Sequence, residues 1–172
     1  MTSKRIRQQV GALPYRTIDK GKVELLLITS RDTGRWLIPK GWPMRKKKPH
    51  EVARQEAWEE AGVRGRVRKK AWGHYTYMKK LDDGELVPAI VHVHLLDVAQ
   101  MEDDFPERHQ RRLAWFRPSI AASAVEEPEL RGLITKSNYL IQTSVFCADR
   151  TIEMITFHGD NFTRSMKWTS SY

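Results

Sequence analysis

The stretch that decides the reading is GWPMRKKKPHEVARQEAWEEAGV, residues 41–63. Its second half has the marks of a short helix. Pro49 suits a first helical position, where its missing N–H would have no intrahelical partner, and Gly62 suits the left-handed residue that ends a helix. Between them Glu56, Glu59 and Glu60 stand at i, i+3 and i+4, within an arc of about 100° on one helix face. Ala53, Ala57 and Ala61 form a narrow stripe beside them, suited to lying close against a sheet. Three like charges on one arc repel one another, by about 0.3 kcal/mol per exposed pair. Either surface ion pairs with Arg54 and Arg64 offset this, or a divalent cation does. Carboxylates that converge, with room for water and phosphate oxygens, suit Mg²⁺ or Mn²⁺.

The rest of the chain supplies the opposite charge. Its 172 residues carry 30 Lys and Arg against 21 Asp and Glu, a net +9. That length holds one domain with a real core and is short for two. Two basic clusters, Arg45-Lys46-Lys47-Lys48 and Arg64, Arg66, Arg68, Lys69 and Lys70, bracket the acidic helix. Such an excess attracts anions, whether small polyphosphates or nucleic acid. A single cysteine, Cys147, excludes an internal disulfide framework. No run approaches the ~18 apolar residues of a membrane span. Met1–Gln9 is polar and basic with no apolar stretch after it. These features predict a cytoplasmic protein with no membrane partner.

Outside the helix, Val10–Tyr15 reads as a short strand, with Pro14 marking a sheet edge or strand end. Val23–Thr29 is a nearly continuous apolar run, as in a central buried strand. Trp36–Ile38 is a brief strand stopped by Pro39. Gly65–Lys80 reads as one long or bent strand, Asp82-Asp83-Gly84 as a hairpin turn and Leu86–Val98 as the return strand. Arg112–Arg117 is a further strand, and Pro118 to about Ile134 holds two short helices around Glu126-Glu127-Pro128. Strands and helices in this order predict an α/β class with a mixed β-sheet and helices on both faces. Residues 1–8 form a basic arm and 9–134 the domain. Residues 135–172 are an extension, read as an added hairpin (Tyr139–Phe146 with Thr151–Phe157) or as disorder.

The 41–63 stretch resembles the Nudix box, G-x5-E-x7-R-E-U-x-E-E-x-G-U with U aliphatic. Gly41, Glu56, Ala57, Glu59, Glu60, Gly62 and Val63 match, seven of nine fixed positions at the family's spacing. Lys47 stands where the pattern has its first Glu, and Gln55 where it has Arg. The resemblance implies a Nudix α/β/α sandwich over about residues 8–134 and a metal-dependent hydrolase. It implies that Glu56 and Glu60 hold Mg²⁺ (Mn²⁺ as the alternative ion), with the Gly41 carbonyl as a further ligand. Glu59 is then the general base, or orients the attacking water.

Leu13-Pro14-Tyr15-Arg16, with Thr29 to Pro39 after it, is similar to the branch acting on diphosphoinositol polyphosphates and diadenosine polyphosphates. In that branch, basic residues matching Arg16 and Arg31 contact phosphates. Arg35, Lys40 and either Arg111 or Arg112 are further candidates. A polyphosphorylated small molecule is the expected partner. Two other readings stand beside it. The charge and the loop residue Trp42 fit an RNA 5′-end pyrophosphohydrolase, and Lys47 with Gln55 fits a Nudix-fold polyphosphate-binding module with weakened catalysis. His92 and His94 alternate with valines and read as ordinary strand residues.

Overall fold

The computed structural model describes residues 6–148. In chain order these form β1 (Arg7–Ile18), β2 (Lys22–Thr29), β3 (Trp36–Leu37), β4 (Lys40–Gly41), α1 (Pro49–Ala61), β5 (Val63–Val67), β6 (Gly73–Lys80), β7 (Leu86–Met101), β8 (Leu113–Phe116), α2 (Pro118–Ala124) and α3 (Pro128–Ala148). The strands make one mixed sheet with β3-β2-β1-β7-β5 as its spine; β4 pairs with β1, β6 with β7 and β8 with β2. The β1–β7 pairing is parallel and the other strand pairs are antiparallel.

Alternation along the strands sends side chains to two layers. Val10, Ala12, Leu26, Ile28 and Leu96 pack with Val52, Ala53, Ala57 and Ala61 of α1. Leu13, Tyr15, Leu25, Leu27, Tyr75, Val91, Val93 and Leu95 pack with Ala121, Leu130, Ile134 and Ile141 of α2 and α3. The α/β/α sandwich and the mixed sheet are as expected. So is β2: its apolar run is buried on both faces, with Leu25–Ile28 fully inaccessible.

Four details differ from the sequence reading. Pro14 lies in an interior strand, because β1 runs between β2 and β7. It is tolerated where β1 changes partner on one side, from β4 at Val10–Gly11 to β2 at Tyr15–Ile18, so no ladder bond on that side is lost. Residues 65–80 divide into two strands on one edge of β7. Val67 faces Leu96 and Gly73 faces Val93, so six steps on one strand meet three on the other and the excess loops out. β1 begins at Arg7 and takes in part of the basic arm. Finally, α3 runs through residue 135 to Ala148, so Tyr139–Phe146 is helical rather than half of a hairpin; Thr151–Phe157 lies outside the described residues. Ile134, Ser137 and Ile141 are buried on one stripe of that helix. A single narrow stripe in a Ser/Thr/Asn-rich stretch is a weak periodic signal.

Candidate active site

Helix α1 begins and ends where its caps dictate. The Glu51 carboxylate accepts the Lys48 N–H at 2.8 Å, which holds Glu51 below the ordinary carboxylate range. Gly62 is left-handed (φ 66°) and donates its N–H to Trp58 O at 2.8 Å. The alanine stripe, fully buried, brings the helix close to the sheet. The carboxylates beside that stripe therefore reach the backbone of β4. The Lys40 N–H donates to Glu60 Oε2 at 2.9 Å. A β-carbon on Gly41 would lie 2.1 Å from the Glu56 carboxyl carbon, so only glycine admits Glu56 there.

Burial, with the charges of Glu60, Glu59 and Glu107 around it, pushes Glu56 up to about 7. Glu60 is also raised by burial, although Arg111 and the Lys40 N–H pull it the other way. Arg111 pairs with Glu60 Oε1, donates from Nε to Glu107 Oε2 at 2.7 Å and from Nη1 to Thr29 O at 3.0 Å. Arg31 comes within 3.6 Å of Glu107 and 3.3 Å of Gln110 Oε1. The Glu107 N–H donates to Glu59 O at 2.9 Å, tying this loop to the helix. Glu107 carried no signal in the sequence: it sits four residues before Arg111 in a loop, where that spacing has no facing rule.

Glu59 is reached from the other side. Gln55 Nε2 donates to Glu59 Oε1 at 2.5 Å, and Lys47 Nζ donates to Gln55 Oε1. The two departures from the Nudix pattern thus touch each other. Lys40 carries its ammonium 5.3 Å from the Tyr77 ring centre; burial lowers it to about 8, with Glu60 acting in the opposite direction. Arg35 Nη1 lies 3.0 Å from both Glu126 and Glu127, and its guanidinium is 6.0 Å from the same Tyr77 ring.

Of the residues singled out from sequence, the structure brings together Gly41, Glu56, Glu59, Glu60 and Lys40. Arg31 and Arg35 stand beside them through Glu107 and Tyr77. Arg16 does not join. It is paired with Glu24 at 2.6 Å and stacked 4.2 Å from Trp115, five residues beyond the Gly11–Lys40 pair and so about 17 Å further along the strand. Arg112 stacks 5.6 Å from Trp36, leaving Arg111 as the arginine at the carboxylates. His94 is buried and bonded through Nδ1 to Arg68 O at 2.9 Å, and His92 lies 6.2 Å from His74.

Among the described residues no three His, Cys, Asp or Glu side chains close a metal shell by themselves. Mg²⁺ does not demand one; it is commonly held by one or two carboxylates, with water and substrate phosphates completing the octahedron. Glu56 fits such an ion, since its carboxylate is crowded by like charge and lies against the Gly41 backbone. Glu60 has both oxygens engaged, one of them by Arg111.

The NUDIX domain profile matches residues 6–136. Nudix hydrolase 18, mitochondrial, of Arabidopsis thaliana is 30% identical over 132 residues, covering 70% of each chain. Nudix hydrolase 16, mitochondrial, of the same plant is 25% identical over 142 residues, 76% of this chain and 78% of its own. Among solved structures, an Ap4A hydrolase of C. elegans superposes with a TM-score of 0.53 at 21% identity, over 83% of this chain and 99% of its own. A NUDIX protein of Listeria monocytogenes reaches 0.61 at 14%, over 79% and 94%. These two likenesses concern the fold. The box residues, the sandwich that carries them and the profile spanning most of the chain agree: this protein belongs to the Nudix family and carries its hydrolase domain.

Proposed function

We propose that this Nudix hydrolase is metal-dependent and cleaves a phosphoanhydride bond in a polyanionic, diphosphate-linked small molecule, of the diphosphoinositol polyphosphate or diadenosine polyphosphate type. The observation that carries the reading is the close approach of Glu56 to Gly41, a half-buried carboxylate against a backbone with Glu59 and Glu60 beside it. Glu56 with the Gly41 carbonyl would hold Mg²⁺ or Mn²⁺, and Glu60 would join once Arg111 turns to phosphate. When bound, the ion supplies Lewis-acid polarisation of a phosphoryl oxygen and lowers the pKa of a bound water.

The chain's own groups do the rest. Glu59 takes the proton from the attacking water or orients it. The water oxygen bonds to phosphorus as the bridging P–O bond breaks, and the bridging oxygen leaves with the other phosphate. Lys40, Arg31, Arg35 and Arg111 attract the polyanion and offset the charge developing on that leaving oxygen. Their number, and the net +9 of the chain, favour a ligand with several phosphates over a singly charged one. The likeness to an Ap4A hydrolase agrees with this reading in fold.

The test is phosphate release, in Mg²⁺ and separately in Mn²⁺, from a diphosphoinositol polyphosphate, diadenosine polyphosphates, nucleoside triphosphates and triphosphorylated RNA. Metal-dependent turnover on one of the first two, lost in Glu59→Gln, is expected. Preference for the RNA with a steep salt dependence would replace the substrate class. Silence on every compound overturns the proposal.

A further inference from the structure

We infer that Lys47 and Gln55 act as one positioning unit, a charge relay of cation, amide and carboxylate that sets the orientation of Glu59. The inference rests on the role given to Glu59 above. Its basis is the pair of hydrogen bonds from Lys47 Nζ to Gln55 Oε1 and from Gln55 Nε2 to Glu59 Oε1, the second 2.5 Å long. The amide has one orientation that satisfies both neighbours: its carbonyl accepts from the ammonium and its NH₂ donates to the carboxylate. Turned over, it would set NH₂ against a cation and oxygen against an anion. In the observed sense the dipoles point the same way, so each bond polarises the next.

The backbone on both sides supports this geometry. Gln55 and Glu59 are four residues apart on α1 and so face each other. Lys47 is delivered by a tight turn: its N–H donates to Met44 O at 3.2 Å, and Lys46 before it is left-handed at φ 66° without being glycine. Such a residue is held there by its surroundings. Glu59 is also tethered through its carbonyl, by the Glu107 N–H. The side-chain relay then fixes what the backbone leaves free, the rotation of the carboxylate. At these two positions the Nudix pattern has an acid and a cation; here the cation stands in the loop and a neutral amide on the helix. The positive charge stands one hydrogen bond further from Glu59 and is transmitted through the amide rather than removed. Lys47 and Gln55 are positioning residues, acting on substrate through Glu59.

Two measurements decide this, one independent of catalysis. In ¹⁵N–¹H spectra of the metal-free chain, the Gln55 side-chain amide, identified by its loss in Gln55→Leu, is expected to shift in both Lys47→Met and Glu59→Gln. A Gln55 resonance unmoved by Lys47→Met overturns the relay, whatever the protein hydrolyses. In steady-state kinetics on the best substrate, Lys47→Met and Gln55→Leu are each expected to lower kcat about tenfold with KM within about twofold. Because they act as a unit, the double variant falls no further, and Lys47→Arg recovers most of the loss. Losses that multiply in the double variant, or that appear in KM alone, overturn the relay. A wild type that turns over nothing overturns the proposed function instead, and the resonance still decides the relay.

Discussion

The two faces of the sheet are built from different sizes of side chain. On the α1 face the helix contributes Ala53, Ala57 and Ala61, each fully buried. On the other face α3 contributes Leu130, Ile134 and Ile141 against Leu13, Leu25, Tyr75 and Leu95. Small side chains let α1 lie near the strands, and that closeness sets Glu60 on the Lys40 N–H and Glu56 against Gly41. Larger ones on α3 bury more apolar surface per residue. One layer is lined by the helix's alanines and holds the candidate site; the other is lined by larger apolar side chains, each burying more surface.

The largest expected effect is a break of the alanine-lined side. Gly41→Ala places a β-carbon inside contact distance of the Glu56 carboxyl. Turnover should fall by about 10²- to 10⁴-fold, the range lost when a catalytic carboxylate is misplaced, while circular dichroism shows the fold retained. Retained turnover would mean that Glu56 is not held by this contact.

On the α3 side, Ile134→Ala removes a fully buried side chain and should cost about 2–5 kcal/mol in urea unfolding. The folded fraction should keep the wild-type kcat. A loss of kcat at full folding would mean that the two layers are not independent.

The smallest effect sharpens the alanine-lined side through pH. Glu56 is raised to about 7 in the folded chain from an ordinary 4.5. Below pH 4.5 it is neutral in both states and makes no difference. Between 4.5 and 7 the folded state keeps a proton that the unfolded chain has released, so stability falls as pH rises and the loss is complete above 7. The expected loss is on the order of 3 kcal/mol, reduced by solvent screening of a half-exposed group. In EDTA, unfolding free energies of wild type minus Glu56→Gln should fall over this window. Saturating Mg²⁺ should flatten the slope, because it binds the ionised form. A difference independent of pH would refute the raised, half-buried state of Glu56.

Local signals made much of this readable beforehand. The ends of α1 follow from Pro49 and Gly62, its close approach from three alanines, and β2 from an unbroken apolar run. The β6–β7 turn follows from Asp82-Asp83-Gly84, with the Leu81 N–H donating to Glu85 O at 2.8 Å. What escaped is set by partners distant in sequence. Pro14 is a sound edge signal, overridden by a change of strand partner that Pro14 itself does not encode. The reach of α3 depends on Ile141 finding the sheet. In the site, the carboxylates and Lys40 were legible because a helix and a fixed spacing hold them. Glu107 was not, since a loop places it; neither was Glu127, which is buried against Arg35 just before α3. Arg16 was legible as a cation but not as one already matched to Glu24 and Trp115.

The contact at Gly41 also bears on how this sequence is free to drift. Every glycine codon begins GG, and any single-base missense change at such a codon installs a residue with a β-carbon. At Gly132, where an added β-carbon meets nothing within 4 Å, many of those changes are open. At Gly41 each of them runs into the same carboxylate, so no one-step replacement avoids it. Across descendants of this gene, Gly41 should therefore change less often than Gly132.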